Sequence, residues 1–183
     1  MKKILALIMA LCLLCAVSCA FAETKTMDCG DFTLQYDSAM AITEGEKTSG
    51  TVMFTLYPLA SEGDIQTNYV AVWVDTKVDL SASIARAAAE AAQSSVEDGY
   101  IQVGLKVIEY TILDAWDLVF ANKKSACASL KTVVEYSGTN IEIYQWEIMV
   151  PGASGTYMLT ITSMNQSALE DLSKKLETMI LWN

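Results

Sequence analysis

The chain has 183 residues, 12 basic against 22 acidic side chains, no histidine and a formal charge of −10. That acidity repels nucleic acid phosphates and anionic lipid headgroups, and nucleic acid binding is set aside. The lack of histidine excludes Ser-His-Asp and Cys-His nucleophile systems and every zinc site that uses an imidazole.

In chain order, Lys2 and Lys3 precede an apolar run from Ile4 to Val17, and Ala20-Phe21-Ala22 offers a small-x-small cleavage site. This pattern predicts a bacterial-style secretory signal peptide over residues 1–22 and a single exported domain over 23–183. The run falls short of the ~20 apolar residues that span a bilayer, and no second run of that kind follows. Ala16-Val17-Ser18-Cys19 loosely resembles a lipobox, with Ala where Leu is usual. Free secretion after Ala22 is therefore expected, and a lipid anchor on Cys19 is the alternative.

Phe32, Leu34 and Tyr36 alternate with Thr33 and Gln35, the period of a half-buried strand. Met40 and Ile42 follow, then a polar loop from Glu44 to Gly50. Thr51 to Tyr57 predicts a strand stopped by Pro58. Asn68 to Val74 is apolar on both sides and reads as a central strand covered on both faces. The alanine-rich stretch from Ser83 to Val96 predicts a helix, with Asp79 or Ser81 as cap, Gly99 as stop, and Ile84, Ala88, Ala91 and Ser95 toward the sheet. Strands are expected over Leu105–Leu113 and Leu118–Ala121, with a turn at Asp114–Asp117 between them. Ala126–Tyr136 and Ile141–Val150 flank Ser137-Gly138-Thr139-Asn140, a hairpin signal. Tyr157–Thr162 is a further strand. Ser167-Ala168-Leu169-Glu170 predicts a capping box, and Leu169, Leu172, Leu176, Met179 and Ile180 form one apolar stripe on the helix it opens. The order of elements predicts an α+β domain: a central, mostly antiparallel sheet flanked by helices.

Phe32-Thr33-Leu34-Gln35-Tyr36 is similar to the F-x-L-x-Y strand that opens domains of the PsbP-like superfamily, which includes Mog-type Ran-binding proteins and DcrB-type lipoproteins. Asp37 stands where that family usually has Pro, and Met40 where it has Trp. Tyr157 to Thr162, feeding an amphipathic helix that ends near Met179-Ile180, resembles the family's closing elements. The resemblance spans most of the chain after residue 22. It implies an α/β/α sandwich and a mostly non-catalytic role in binding other proteins, and it transfers no functional residue.

No GxSxG, Walker or GxGxxG motif is present, and no cofactor is expected. Cys29 and Cys127 are too few for a cysteine-only zinc site; they form either a disulfide or two buried thiols. Carboxylate-pair hydrolysis needs only two placed acids, but no pair among so many is singled out. The candidate binding residues are Asp114, Trp116 and Asp117, on a turn able to contact a partner or calcium; the structural alternative folds Trp116 back onto the core. Glu44 and Glu46 with Glu62 and Asp64 make an acidic loop patch, read as solvated charge. Tyr144, Trp146 and Ile148, with Tyr69 and Trp73, read as sheet core ahead of a ligand pocket. The functional expectation is an exported non-catalytic domain that binds another protein at the bacterial cell surface or envelope. A small-ligand or calcium module is the alternative, and a carboxylate-dependent hydrolase ranks third.

Overall fold

Strand-period burial builds two sheets in the computed structural model, which describes residues 24–58 and 67–183. The expected signal peptide with Cys19 lies outside those residues, as do Glu62 and Asp64. The larger sheet has seven strands, in the spatial order β3 (Met40–Glu44), β4 (Val52–Pro58), β5 (Asn68–Val74), β9 (Thr156–Ser163), β8 (Thr139–Pro151), β7 (Lys123–Tyr136) and β6 (Lys106–Phe120). Every neighbouring pair is antiparallel. A three-stranded sheet joins β1 (Thr24–Asp28), β2 (Phe32–Asp37) and β10 (Ile180–Trp182). Helix α1 (Ala82–Gln102) covers one face of the large sheet, and α2 (Leu169–Met179) with the small sheet covers the other. The expected α+β architecture, a mostly antiparallel sheet flanked by helices, is the one observed.

Two-residue turns close the long hairpins. Ser137 and Gly138 have φ of 51° and 79°, and Ala121 and Asn122 have 47° and 64°. Positive φ at both central positions gives the turn whose twist matches paired strands. Ahead of the Ala121-Asn122 turn β6 runs unbroken for 15 residues, so the expected turn at Asp114–Asp117 does not form. The register instead shifts between Ile112 and Asp114. A bulge there accommodates the residues that read locally as a turn, because β7 supplies a continuous pairing partner.

Helix α1 begins as expected, with Ser81 Oγ accepting the Ile84 N–H at 3.4 Å. It does not stop at Gly99. Gly104, at φ 82°, supplies the left-handed residue beyond the end. Its N–H bonds to Ile101 O at 3.0 Å and that of Leu105 to Tyr100 O at 3.0 Å, a Schellman closure. The inward face holds Ala85 and Ala89 with Ile84 and Ala88 beside them, while Ala91 and Ser95 are exposed. The helix is thus rotated by about one residue from the expected face. It packs on β6, β7 and β8. Val70 and Val72 of β5 are therefore only half-buried, and that strand is not covered equally on both sides.

The expected capping box is also replaced. Asn165 Oδ1 accepts the Ser167 N–H at 3.1 Å and opens a 3-10 turn over Gln166–Ala168, while Glu170 pairs with Lys174 at 2.7 Å. Leu169, Leu176 and Met179 are buried as the stripe requires. Among the described residues, no helix is long and apolar enough to cross a membrane.

Candidate functional site

The residues first singled out by sequence lie mid-strand on β6 and separate. Asp114 is exposed, and its Oδ1 accepts the adjacent Ala115 N–H at 2.8 Å. Trp116 folds back and meets Trp146 edge-on, with ring centroids 5.0 Å apart. Asp117 Oδ1 accepts the Ala82 N–H at 2.6 Å, a second acceptor at the start of α1 and the kind of contact worth about 1 kcal/mol. Residues 114 to 117 pair in regular alternation, so side chains three apart leave opposite faces of the sheet. Asp114 and Asp117 do not converge on one cation. Among the described residues, no three Cys, Asp or Glu side chains come together to hold a metal.

The aromatic set belongs to the core. Tyr69 and Ile148 are buried, and Trp73, Tyr144 and Trp146 pack half-buried against the same cluster. Cys29 and Cys127 are separate buried thiols, not a disulfide. Burial, followed by the Asp28 carboxylate, pushes the Cys29 thiol up to about 12. Burial, then Glu147 and Asp114, raises Cys127 as well. Neither thiol is a ready thiolate nucleophile.

At one end of the sheets lies a cluster that no local pattern announces. Lys47 Nζ donates to the Tyr157 hydroxyl at 2.7 Å and stands 3.6 Å from Asp31 Oδ1. The same ammonium lies 5.1 Å from the Trp73 ring centroid and 5.2 Å from that of Tyr157. Asp31 Oδ2 accepts the Ala153 N–H at 2.9 Å, and the Asp31 carbonyl accepts the Asn183 N–H at 3.0 Å. Trp182 meets Phe32 edge-on at 5.1 Å, and Lys123 Nζ sits 3.8 Å over its ring. A Cβ on Gly155 would strike the Val74 carbonyl and the Trp73 ring, so glycine is required there for close approach.

Electrostatics make this cluster a latch. Burial raises the Asp31 carboxyl, but the Ala153 N–H, Tyr157 and Lys47 outweigh it and hold the group below its usual range. Burial and then Asp31 push the Tyr157 hydroxyl upward. Both groups move away from neutrality, the opposite of what proton transfer near pH 7 needs. The residues join the loop before β2, the loop before β4, the turn before β9 and the C-terminal strand. Their separation in sequence explains why no spacing rule finds them.

The other feature is the free edge of β6. Among the described residues, no strand pairs on its outer side. Ile108, Leu113 and Val119 are exposed along it, and the first two sit at its two register shifts.

No protein-family model and no curated protein matches the sequence. Solved structures do match. Cyanobacterial PsbP (CyanoP) from Synechocystis sp. PCC 6803 aligns over 91% of this chain and 96% of its own, at TM-score 0.58 and 10% identity. That likeness makes the fold PsbP-like and speaks to the fold alone. PA94 from Pseudomonas aeruginosa aligns over 86% of this chain and 94% of its own, at 11% identity and TM-score 0.39. LpqN, involved in cell envelope biogenesis in Mycobacterium tuberculosis, aligns over 88% and 92%, at 9% identity and TM-score 0.38. These last two are too loose for a comparison of surfaces.

Proposed function

We propose that residues 1–22 direct export and that the remaining domain is a non-catalytic module, binding another protein at the bacterial cell surface or envelope. The observation that carries this reading is the edge of β6. Among the described residues it has no strand partner on its outer side, and it exposes Ile108, Leu113 and Val119. An open edge of this kind recruits an extended segment of another chain, with backbone hydrogen bonds giving affinity and side-chain contacts giving selectivity. The two register shifts fall in the first half of β6 and leave Asp114 to Phe120 as the regular stretch for an added strand, with Leu113 at its border. The PsbP-like fold supports the same reading by analogy. The acidic surface suits a partner segment rich in Lys or Arg.

The test is crosslinked capture from native cells, with protein purified after expression of the full chain, run in parallel with Val119→Lys and Leu113→Lys. A lysine on an edge strand opposes pairing without disturbing the core. A stoichiometric partner held by the wild type and lost by both variants, at unchanged melting temperature, supports the proposal. A partner retained equally by both variants sinks the β6 assignment. A specific hydrolytic activity lost on changing one acid pair would sink the non-catalytic reading.

A further inference from the structure

Near its C-terminal end, α1 leaves a space against the sheet. The buried alanines of its inward face, Ala85 and Ala89, lie in its first half, and the larger Val96 and Tyr100 come later. A cavity of about 180 Å³ opens there, with Tyr100 and Leu105 on the helix side, Ile141 and Ile143 on the sheet side, and Asn68 and Thr162 at one end. Its size is close to an engineered cavity of about 150 Å³ that takes up benzene, and below the ~300 Å³ at which drug-sized pockets begin. The space suits one ring or a short chain.

Its polar end is unfinished. Asn68, Thr162 and Gln145 stand in register across β5, β9 and β8. Gln145 Nε2 donates to Thr162 Oγ1 at 3.3 Å, which leaves the Thr162 hydroxyl proton free to be given elsewhere. Asn68 Oδ1 and Gln145 Oε1 are buried and have no hydrogen-bond partner among the described residues. Native proteins rarely leave buried acceptors unmet, because each keeps its full desolvation cost. Of the two, Asn68 lines the cavity and its open atom is an acceptor, so the missing group there is a donor. The end of α1 carries Glu97 and Asp98 and no basic residue in its last turn, so an anion is disfavoured.

We propose that this cavity binds a small neutral molecule, with an apolar ring or short chain and one O–H or N–H donor, such as a phenol, a short alcohol or an indole. The apolar body lies between Tyr100, Leu105, Ile141 and Ile143, and the donor points to the carbonyl of Asn68 beside Thr162, with the Gln145 amide behind Thr162 as a reporter. This site is separate from the β6 edge and stands without it.

The test uses phenol and toluene, which share a ring and differ by the donor, on protein purified after expression of the full chain. The readouts are melting temperature and NMR of the Asn68 and Gln145 side-chain amides. Phenol should shift both amide signals saturably at millimolar concentration, raise the melting temperature, and bind about three- to tenfold more tightly than toluene. Asn68→Leu should abolish that preference, and Ile143→Trp should abolish binding of both. Thr162→Val, which keeps the shape, replaces Asn68→Leu should that variant fail to fold. Equal affinity for phenol and toluene in the wild type overturns the proposal. So does the absence of saturable shifts at either amide with both phenol and indole, which would leave water as the occupant.

Discussion

The two faces of the seven-stranded sheet are built differently. The face under α2 and the small sheet is filled by large apolar and aromatic groups: Phe32, Leu34, Phe54, Tyr69, Tyr157, Leu159 and Ile161 are all at most 1% exposed. Among the described residues, its buried side-chain atoms without a partner are Tyr69 Oη and the ring nitrogens of Trp73 and Trp182, polar handles on bodies that are otherwise packed. The face under α1 packs small residues, Ala85, Ala89, Ala126 and Ala128, around Leu130 and Met149. It also buries oxygens of Asn68, Thr132, Gln145 and Glu147 that have no partner among the described residues. Large, well-packed groups make the first face the source of stability, while buried acceptors make the second cost stability.

Truncating the first face gives the largest expected effect. Phe32→Ala removes a fully buried ring from between Tyr157 and Trp182 and should cost about 3–5 kcal/mol in urea unfolding. A loss below about 1 kcal/mol would break the contrast between the faces.

Glu147→Gln tests the second face and should have the opposite sign. Burial raises the Glu147 carboxyl above its usual 4.5. A raised folded value contributes stability that is complete below pH 4.5 and lost as pH rises through that value. The amide removes the buried charge and should raise stability by about 1–2 kcal/mol at neutral pH, with no gain below pH 4.5. Unfolding curves at two pH values decide it, and a gain at low pH would sink the assignment.

The smallest expected effect sharpens the comparison from the latch. Asp31 is held below its usual 3.8, so its contribution is present above pH 3.8 and lost as pH falls through the folded value. Asp31→Asn should lower the melting temperature at neutral pH and flatten its fall in acid. Identical acid limbs for wild type and variant would remove Asp31 from the latch. The two windows do not overlap: Glu147 acts above pH 4.5 and Asp31 below 3.8.

Much of the framework was legible residue by residue. Alternation at Phe32, Leu34 and Tyr36 and the Ser137-Gly138 turn carry their own local signals, and those elements stand where the pattern puts them. The stripe of Leu169, Leu176 and Met179 points α2 inward as read. Strands β1 and β10 were missed because β1 has no buried side chain to mark a period and β10 continues a helical stripe. The candidate residues were less legible. Trp116 takes the structural place the sequence allowed, against Trp146, while Asp117 became a helix cap through a contact 35 residues away.

By itself the sequence determined what short-range physics determines: strand and helix periods, hairpin turns, net charge and the lack of imidazole chemistry. Tertiary structure alone decided that residues 114–117 form a strand, because pairing with β7 outweighs a local turn preference. It also decided that Gly104 and not Gly99 ends α1, since the helix continues over the sheet until a left-handed closure is made. The latch of Asp31, Lys47 and Tyr157 and the unmet carbonyls of Asn68 and Gln145 arise the same way. Each is assembled from residues far apart in the chain, and the burial that gives it meaning exists only once the sheet has formed.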